Sequence, residues 1–496
     1  MTFSLSFLST GQYVHCPMTP VFTAWSSQFT SHLARLRRAS RIPMHPFQQV
    51  FGRWICEPLL SQEDQGVHSR CRHWPLRLTF WTFLWQTSQP GASCREAVLQ
   101  AGTLRHQAGL APSKAGESAY CQARTRIPME RLTQIHERVV REGVAAARLG
   151  SLWCGRRVRV VDGTTVTLAD TPTNQRRFPQ QSVQKPGCGF PLLRLLGLFC
   201  LSTGLVVDWV IGNWHDHELQ LLNRIWESLA PGEVLLADRG FCNYGTLARA
   251  RTEGIDVVVR ARGSHRSDFR RGQRLGPEER LVRWAKSVVP ARSIPRALWD
   301  QLPEELSVRL VRCRMGQPGF RSKEVVVVTT LLDPERFPAD QISALYLRRW
   351  EMELCLRSLK TTLQMEHLSS RSPEAAEREL CMHLLVHNLV RRLVQESASI
   401  HQLPATRLSF AGALASARRT AEALHHPHTP RKRRELYEAL LEAIAFRPVP
   451  LRPGRREPRA RKRRPKPFPL LSSPRSIFQE IRHQNRYYVP KKTPVR

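Results

Sequence analysis

The chain has 496 residues, 41% of them hydrophobic, which is enough for two or three domains with a substantial buried core. Lysine and arginine total 76 against 41 acidic residues, a net charge of +35 that exceeds what solubility needs and implies a polyanionic partner, nucleic acid first. Twelve cysteines with no CxxC pair argue against a zinc ribbon, a thioredoxin-like site and a disulfide scaffold, and no apolar run reaches the length of a bilayer-spanning helix.

Residues 1–45 lack periodicity and read as a disordered leader. Its apolar stretch has no preceding basic residue, which speaks against a signal peptide, and Met18 and Met44 are candidate natural starts. Residues 46–150 follow a helical pattern, broken at Gln89-Pro-Gly and Leu110-Ala-Pro, with Ser93 a candidate cap and Ser118 near the start of a further helix. That helix carries Arg124 and Arg126, an arrangement that suits a DNA-binding helical domain; an ordinary bundle with solvated arginines fits the periodicity equally well.

The texture changes to α/β near residue 155. Arg157–Val161 reads as a strand running into Asp162, and Pro191–Leu201 with Leu205–Ile211 reads as a hairpin joined by Ser-Thr-Gly. A helix over Glu218–Leu229, a short strand ending at Asp238, a helix over Tyr244–Glu253 and a strand over Ile255–Val259 follow. This order resembles the mixed sheet of an RNase H-like domain, assigned to 155–396. An Arg-rich insertion at 260–322, with Trp284 and Trp299, interrupts it before a strand from Lys323 and a long helix from Asp340 to Leu363. A further helix spans Glu374–Glu396, and 397–450 is a C-terminal helical region. The tail, 451–496, holds 15 Lys or Arg, two Glu and eight prolines, so it reads as a flexible segment that tracks phosphates.

Three acidic residues carry the chemistry. Asp162 and Asp238 each follow a short apolar strand, where a carboxylate is rigidly held, although strand-end aspartates are also common turn formers. The stretch from Tyr346 to Lys360 places Tyr346, Arg349, Glu353 and Lys360 at offsets of 0, 3, 7 and 14, within a stripe roughly 60° wide on an ideal helix. Ile342, Leu345, Met352, Leu356, Leu359 and Leu363 form the adjoining apolar stripe, which leaves Glu353 at the border of the core. Carboxylates so placed suit hard divalent cations, and two such ions about 4 Å apart stabilise both oxygens of an in-line phosphoryl displacement.

Tyr346, Arg349, Glu353 and Lys360 reproduce the Y-(2)-R-(3)-E-(6)-K signature of the insertion-sequence-four family of bacterial DDE transposases. Val160-Val-Asp-Gly-Thr-Thr165 and Leu235-Leu-Ala-Asp-Arg-Gly-Phe241 resemble that family's two aspartate motifs. Leu380–Leu393 is similar to the helix that follows in the family, and Ser118–Pro128 is a weaker match. The resemblance implies an RNase H-like core with an insertion before the catalytic Glu, preceded by a helical domain. It implies Asp162, Asp238 and Glu353 as catalytic residues holding two Mg²⁺ ions, with Mn²⁺ able to substitute. It also implies cut-and-paste transposition by cleavage at terminal inverted repeats and strand transfer into target DNA, through a hairpin intermediate. Tyr346, Arg349, Lys360 and Arg239 are then expected to contact DNA; Trp284 and Trp299 are candidates to stack on a flipped base, although core packing is the commoner place for each. A homodimer in the DNA complex and a cytoplasmic, nucleoid-associated location follow from the same likeness.

Two alternatives share the features: an RNase H-like nuclease or resolvase, and a DNA-binding derivative of a transposase that no longer cuts. His215-Asp-His217-Glu and His425-His-Pro-His428 lack zinc-site spacing and are set aside, and Asp170 and Asp216 are the acids most easily mistaken for the two aspartates.

Overall fold

A computed structural model describes residues 45–61, 73–107, 109, 116–147, 149–263, 269–290, 294–314, 324–426, 428–449, 473–474, 477–480 and 488–490. All but the last residue of the leader read over 1–45, and most of the tail read over 451–496, fall outside them.

The N-terminal segment is helical: α1 (Pro46–Phe51), α2 (Leu76–Ser88), α3 (Cys94–Gln107), α4 (Glu117–Arg126) and α5 (Met129–Ala145). α2 is apolar on almost every side and is buried accordingly, with Phe80, Trp81 and Leu84 fully enclosed. α3 starts where Ser93 and Glu96 cap it reciprocally: the Glu96 amide donates to Ser93 Oγ (3.2 Å) and the Ser93 amide donates to the Glu96 carboxylate (2.6 Å).

The sheet is built around β1 (Val158–Leu168). After α6 (Pro172–Arg177) come β2 (Leu192–Cys200), antiparallel to β1, and β3 (Val206–Gly212), antiparallel to β2. Gly204 makes their turn at a φ of 70°, a conformation that glycine adopts without penalty. The chain then crosses through α7 (Glu218–Arg224) to β4 (Val234–Ala237), and through α8 (Tyr244–Thr252) to β5 (Asp256–Arg260). Both crossovers return parallel strands, giving the order β3-β2-β1-β4-β5. Three antiparallel strands followed by two parallel ones, with a helix before each, form an RNase H-like core.

The stretch expected to interrupt this pattern continues it instead. β6 (Gln273–Gly276), β7 (Glu279–Ala285), α9 (Arg296–Gln301) and β8 (Glu305–Arg314) lead to β9 (Glu324–Thr329), which pairs with β5. The sheet therefore runs on as β5-β9-β8-β7-β6, ending at a short arginine-bearing strand. Trp299 is 3% exposed and packs edge-on against Tyr244, so it belongs to the core and is not available to stack on a base. Trp284 lies in β7, opposite Leu306 of β8.

The helix expected over 340–363 is two helices and a wider turn. α10 (Ala339–Arg348) stops at Arg349, α11 (Trp350–Arg357) follows, and Ser358–Thr362 is π-helical. β10 (His367–Leu368) pairs with the far end of β1. α12 (Pro373–Ile400) then runs through the main core, followed by α13 (Phe410–His425) and α14 (Pro430–Ala445); a two-stranded ladder joins β11 (Phe478–Glu480) and β12 (Tyr488–Pro490).

Strand alternation divides the apolar residues between the two sheet faces. Val158, Val160, Val234 and Leu236 belong to the core that contains α12, whereas Val161, Leu235 and Ala237 belong to the core that contains α7 and α8. Buried ion pairs tie the lower ends of β1, β4 and β5. Arg159 grips the Glu233 carboxylate with bonds of 2.6–3.0 Å, and Arg156 meets Asp256 at 2.6 Å. On α12, Asn388 accepts from the Val206 amide (2.9 Å) and donates to the Val206 carbonyl (2.8 Å), while His387 meets the Gly204 carbonyl at 3.0 Å. These contacts fix the β2–β3 hairpin on the helix.

Candidate active site

β1 and β4 are parallel and in register from Val158↔Val234 to Val160↔Leu236. Two steps further along each strand stand Asp162 and Asp238, side by side where β4 has ended, and adjacent strands lie about 4.8 Å apart. Asp162 does not end its strand, as the sequence suggested. β1 carries on to Leu168 because Thr164, Thr165 and Thr167 keep pairing with β2. What ends at this level is the neighbouring strand, which opens a notch on one side of Asp162. Asp238 begins a 3₁₀ turn and accepts a hydrogen bond from the Gly240 amide (2.8 Å).

Glu353 enters from α11, on the face of the sheet that carries Val160 and Leu236. Its carboxylate accepts a bond from Arg349 Nη2 at 2.9 Å. The Asp162 carboxyl is pushed up to about 6, first by burial and then by the charges of Glu353 and Asp238; Arg349 and the Gly163 amide pull in the opposite direction. Burial likewise raises the Tyr346 hydroxyl, which is hydrogen-bonded with Arg349 and feels both Arg260 and Asp238. Asp162, Asp238, Glu353, Arg349 and Tyr346 thus form one electrostatic neighbourhood.

The remaining sequence candidates are distributed differently. Lys360, in the π-turn, is 3.8 Å from Glu366, next to the segment that pairs with the far end of β1. The break at Arg349 and the wider turn displace it from the ideal stripe on which the sequence pattern set it. Arg239 is exposed immediately after Asp238. Arg126 is exposed and bonds Gln122 at 3.2 Å. Arg124 corrects an expectation. It is 8% exposed, donates to Gln86 at 3.1 Å, lies over the Phe83 ring and faces Glu379 at 3.7 Å, so its guanidinium is committed inside the protein and not to phosphate.

Asp170 accepts from Gln175 (2.9 Å), and Asp216 pairs with Arg224 (3.2 Å) and accepts from the Asn213 amide, which gives both acids local structural work. The sequence reading passed over Glu218. It heads α7, on the opposite sheet face from Glu353, and its half-buried carboxyl is raised by burial and by the charge of Asp238. The available signal was the glycine after Asp162, which leaves that face of β1 bare.

Among the described residues, no group of three or more His, Cys, Asp or Glu side chains closes around a metal ion. The donor set still suits a hard divalent cation, since Asp162, Asp238 and Glu353 offer only carboxylate oxygens. Mg²⁺ commonly takes one or two carboxylates, keeps several waters and completes its shell with substrate phosphate, so a closed protein cage is not required.

Residues 153–389 match the family model described as the transposase DDE domain. Over 429 residues the chain is 26% identical to the transposase InsG for insertion sequence element IS4 of Escherichia coli (strain K12), covering 84% of this chain and 92% of that protein. The chain carries a transposase DDE domain over residues 153–389 and is similar along most of its length to a transposase of an IS4 element. It is also similar to the putative transposase InsL for insertion sequence element IS186A of the same organism, 26% identical over 271 residues, 49% of this chain and 67% of that one. Among solved structures, the piggyBac transposase synaptic complex with hairpin DNA aligns with 80% of this chain and 84% of its own at 9% identity and a TM-score of 0.38. That likeness is too loose to add to the topology read from the sheet. As in other DDE transposases, the chemistry is phosphodiester cleavage and strand transfer on DNA. No helix among the described residues is long and apolar enough to cross a membrane.

Proposed function

We propose that Asp162, Asp238 and Glu353 are the three acids of a cut-and-paste transposition reaction at terminal inverted repeats, with Mg²⁺ as the working metal and Mn²⁺ as a substitute. The observation that carries this reading is the β1–β4 register, which sets Asp162 beside Asp238 in a notch that Glu353 also reaches electrostatically. Bound there, the divalent ions supply Lewis acidity at the phosphoryl oxygens and neutralise charge developing in the in-line displacement.

The chain's own residues supply position and charge. Asp162 and Asp238 hold their carboxylates on rigid strands, and the α11 backbone brings Glu353 from above. Arg349 lies between Glu353 and Asp162, where its guanidinium can take a phosphate oxygen in bidentate fashion as DNA enters. Tyr346 orients Arg349 from below, and Arg239 and Lys360 contact the flanking backbone. Cleavage by water frees a 3′-OH, which attacks the opposite strand to form a hairpin at the transposon end; hairpin opening regenerates the 3′-OH for attack on target DNA. In this reading residues 46–150, Arg126 among them, help recognise the end, and the basic residues of 451–496 track phosphates. A homodimer pairs the two ends in the bacterial cytoplasm.

The test is cleavage of a labelled duplex carrying the cognate inverted repeat. Asp162→Ala, Asp238→Ala and Glu353→Ala should each abolish Mg²⁺-dependent cleavage while still shifting the duplex in a gel. Normal cleavage by one of them removes that residue from the site. Binding without nicking by the wild type would identify a DNA-binding derivative instead.

A further inference from the structure

Among the described residues, Glu218 is an acidic side chain near the notch that the triad leaves unused. A Cβ placed on Gly163 would lie 2.6 Å from Glu218 Oε1, and one placed on Gly240 would lie 3.9 Å from Glu218 Oε2. The same carboxylate therefore lies against the residue that follows Asp162 and against the residue two beyond Asp238. It occupies the gap between β1 and the end of β4, from the face opposite Glu353. Only glycine at 163 admits it, since real Cβ atoms do not approach an oxygen this closely.

No hydrogen bond or ion pair among the described residues satisfies this carboxylate. Arg194, whose charge acts on Glu218, donates its Nη1 to the Asp216 carbonyl, and the α7 N-terminus is capped by His217 with Gln220. Packing two carboxylates together on a bare strand surface is unfavourable unless a cation sits between them.

We propose that Glu218 is a fourth acid of the site, which helps hold the divalent ion on Asp238, directly or through its waters; this rests on the reading that Asp162 and Asp238 hold metal. Gly163 is then the residue that makes room for it.

The test measures Mn²⁺ binding to the full-length chain from the loss of the free-ion electron paramagnetic resonance signal, beside cleavage in Mg²⁺. Glu218→Gln, nearly isosteric and checked by its melting temperature, should weaken Mn²⁺ binding about tenfold or more, as loss of a supporting ligand does. Gly163→Ala should do the same by displacing Glu218, and the double variant should be no worse than either single one. If Asp238→Ala loses Mn²⁺ while Glu218→Gln binds it within twofold of wild type, the role of Glu218 is refuted and the triad stands. If Asp238→Ala binds Mn²⁺ normally, the aspartate reading itself fails, and this inference with it. Should Gly163→Ala not fold, the Glu218→Gln measurement decides alone.

Discussion

Asp162→Asn should make the metal-free transposase more stable at neutral pH, although it should end cleavage. The Asp162 carboxyl rises from 3.8 to about 6 on folding, because burial and two neighbouring carboxylates disfavour its charge. At about 1.4 kcal/mol per pH unit, ionising it in the folded protein costs about 2–3 kcal/mol relative to the unfolded chain. The sign follows from proton counting. Between pH 4 and 6 the folded protein binds more protons than the unfolded one, so this group's contribution to stability falls as pH rises through that window, and the whole penalty is present above it. Asparagine carries no charge and keeps an oxygen able to accept from the Gly163 amide, which bonds Asp162 at 2.9 Å. Thermal unfolding in EDTA from pH 4.5 to 8 should show the variant and wild type close together at the acid end. The variant should melt roughly 2–3 °C higher above pH 7, taking about 1 °C per kcal/mol at this size. Saturating Mg²⁺ should narrow the gap by stabilising only the wild type. A gap that does not change with pH, or a variant less stable than wild type at pH 7.5 in EDTA, would refute the electrostatic account of the site.

Arg309→Met should cost about 3–5 kcal/mol in urea unfolding, because it strands Glu279 without its partner and leaves the Phe337 carbonyl, now bonded at 2.7 Å, without its donor. Arg309 is fully buried and ties β8 to the segment entering α10, so cleavage should fall as well, through misplacement of Glu353. Asn388→Ala should cost about 2–3 kcal/mol, since the buried Val206 amide and carbonyl both lose their partner; a melt no lower than wild type would show that water replaces the amide.

The core strands were legible because their apolar runs end at turn residues, and the crossover helices separate them at lengths that only a mixed sheet accommodates. Two features were hidden for physical reasons. Gly-Thr-Thr after Asp162 reads as a turn, yet threonine is β-branched, and pairing with β2 holds the strand extended to Leu168. The strands of 260–322 are rich in arginine and partly exposed, which masks their alternation; charge of this kind is how a sheet edge avoids pairing with another chain. Gly163 hinted at a neighbour on that face of β1, but that the neighbour is Glu218 depends on a register between strands 76 positions apart.

The site is assembled from parts of unequal stiffness, and this follows from where each acid is attached. Asp162 is set by backbone pairing within the sheet, and Asp238 directly follows a buried strand and is tied down by the Gly240 amide, so neither moves far without disturbing the sheet. Glu353 rides on a helix interrupted on both sides, by the turn at Arg349 and the π-turn at Ser358–Thr362, and its carboxylate is held by Arg349. π-turns within helices recur at functional sites, where a strict helical ladder would fix side chains in the wrong phase. Leu345, Met352, Leu359 and Leu363 are all buried, so the helix backbone is anchored and the adjustable parts are the long Arg349 and Glu353 side chains. On the proposed reading, a phosphate that draws Arg349 away competes with its ion pair to Glu353 and its hydrogen bond with Tyr346, and leaves the Glu353 carboxylate beside the two aspartates. On that reading, arrival of DNA completes the acidic set without requiring the sheet to move.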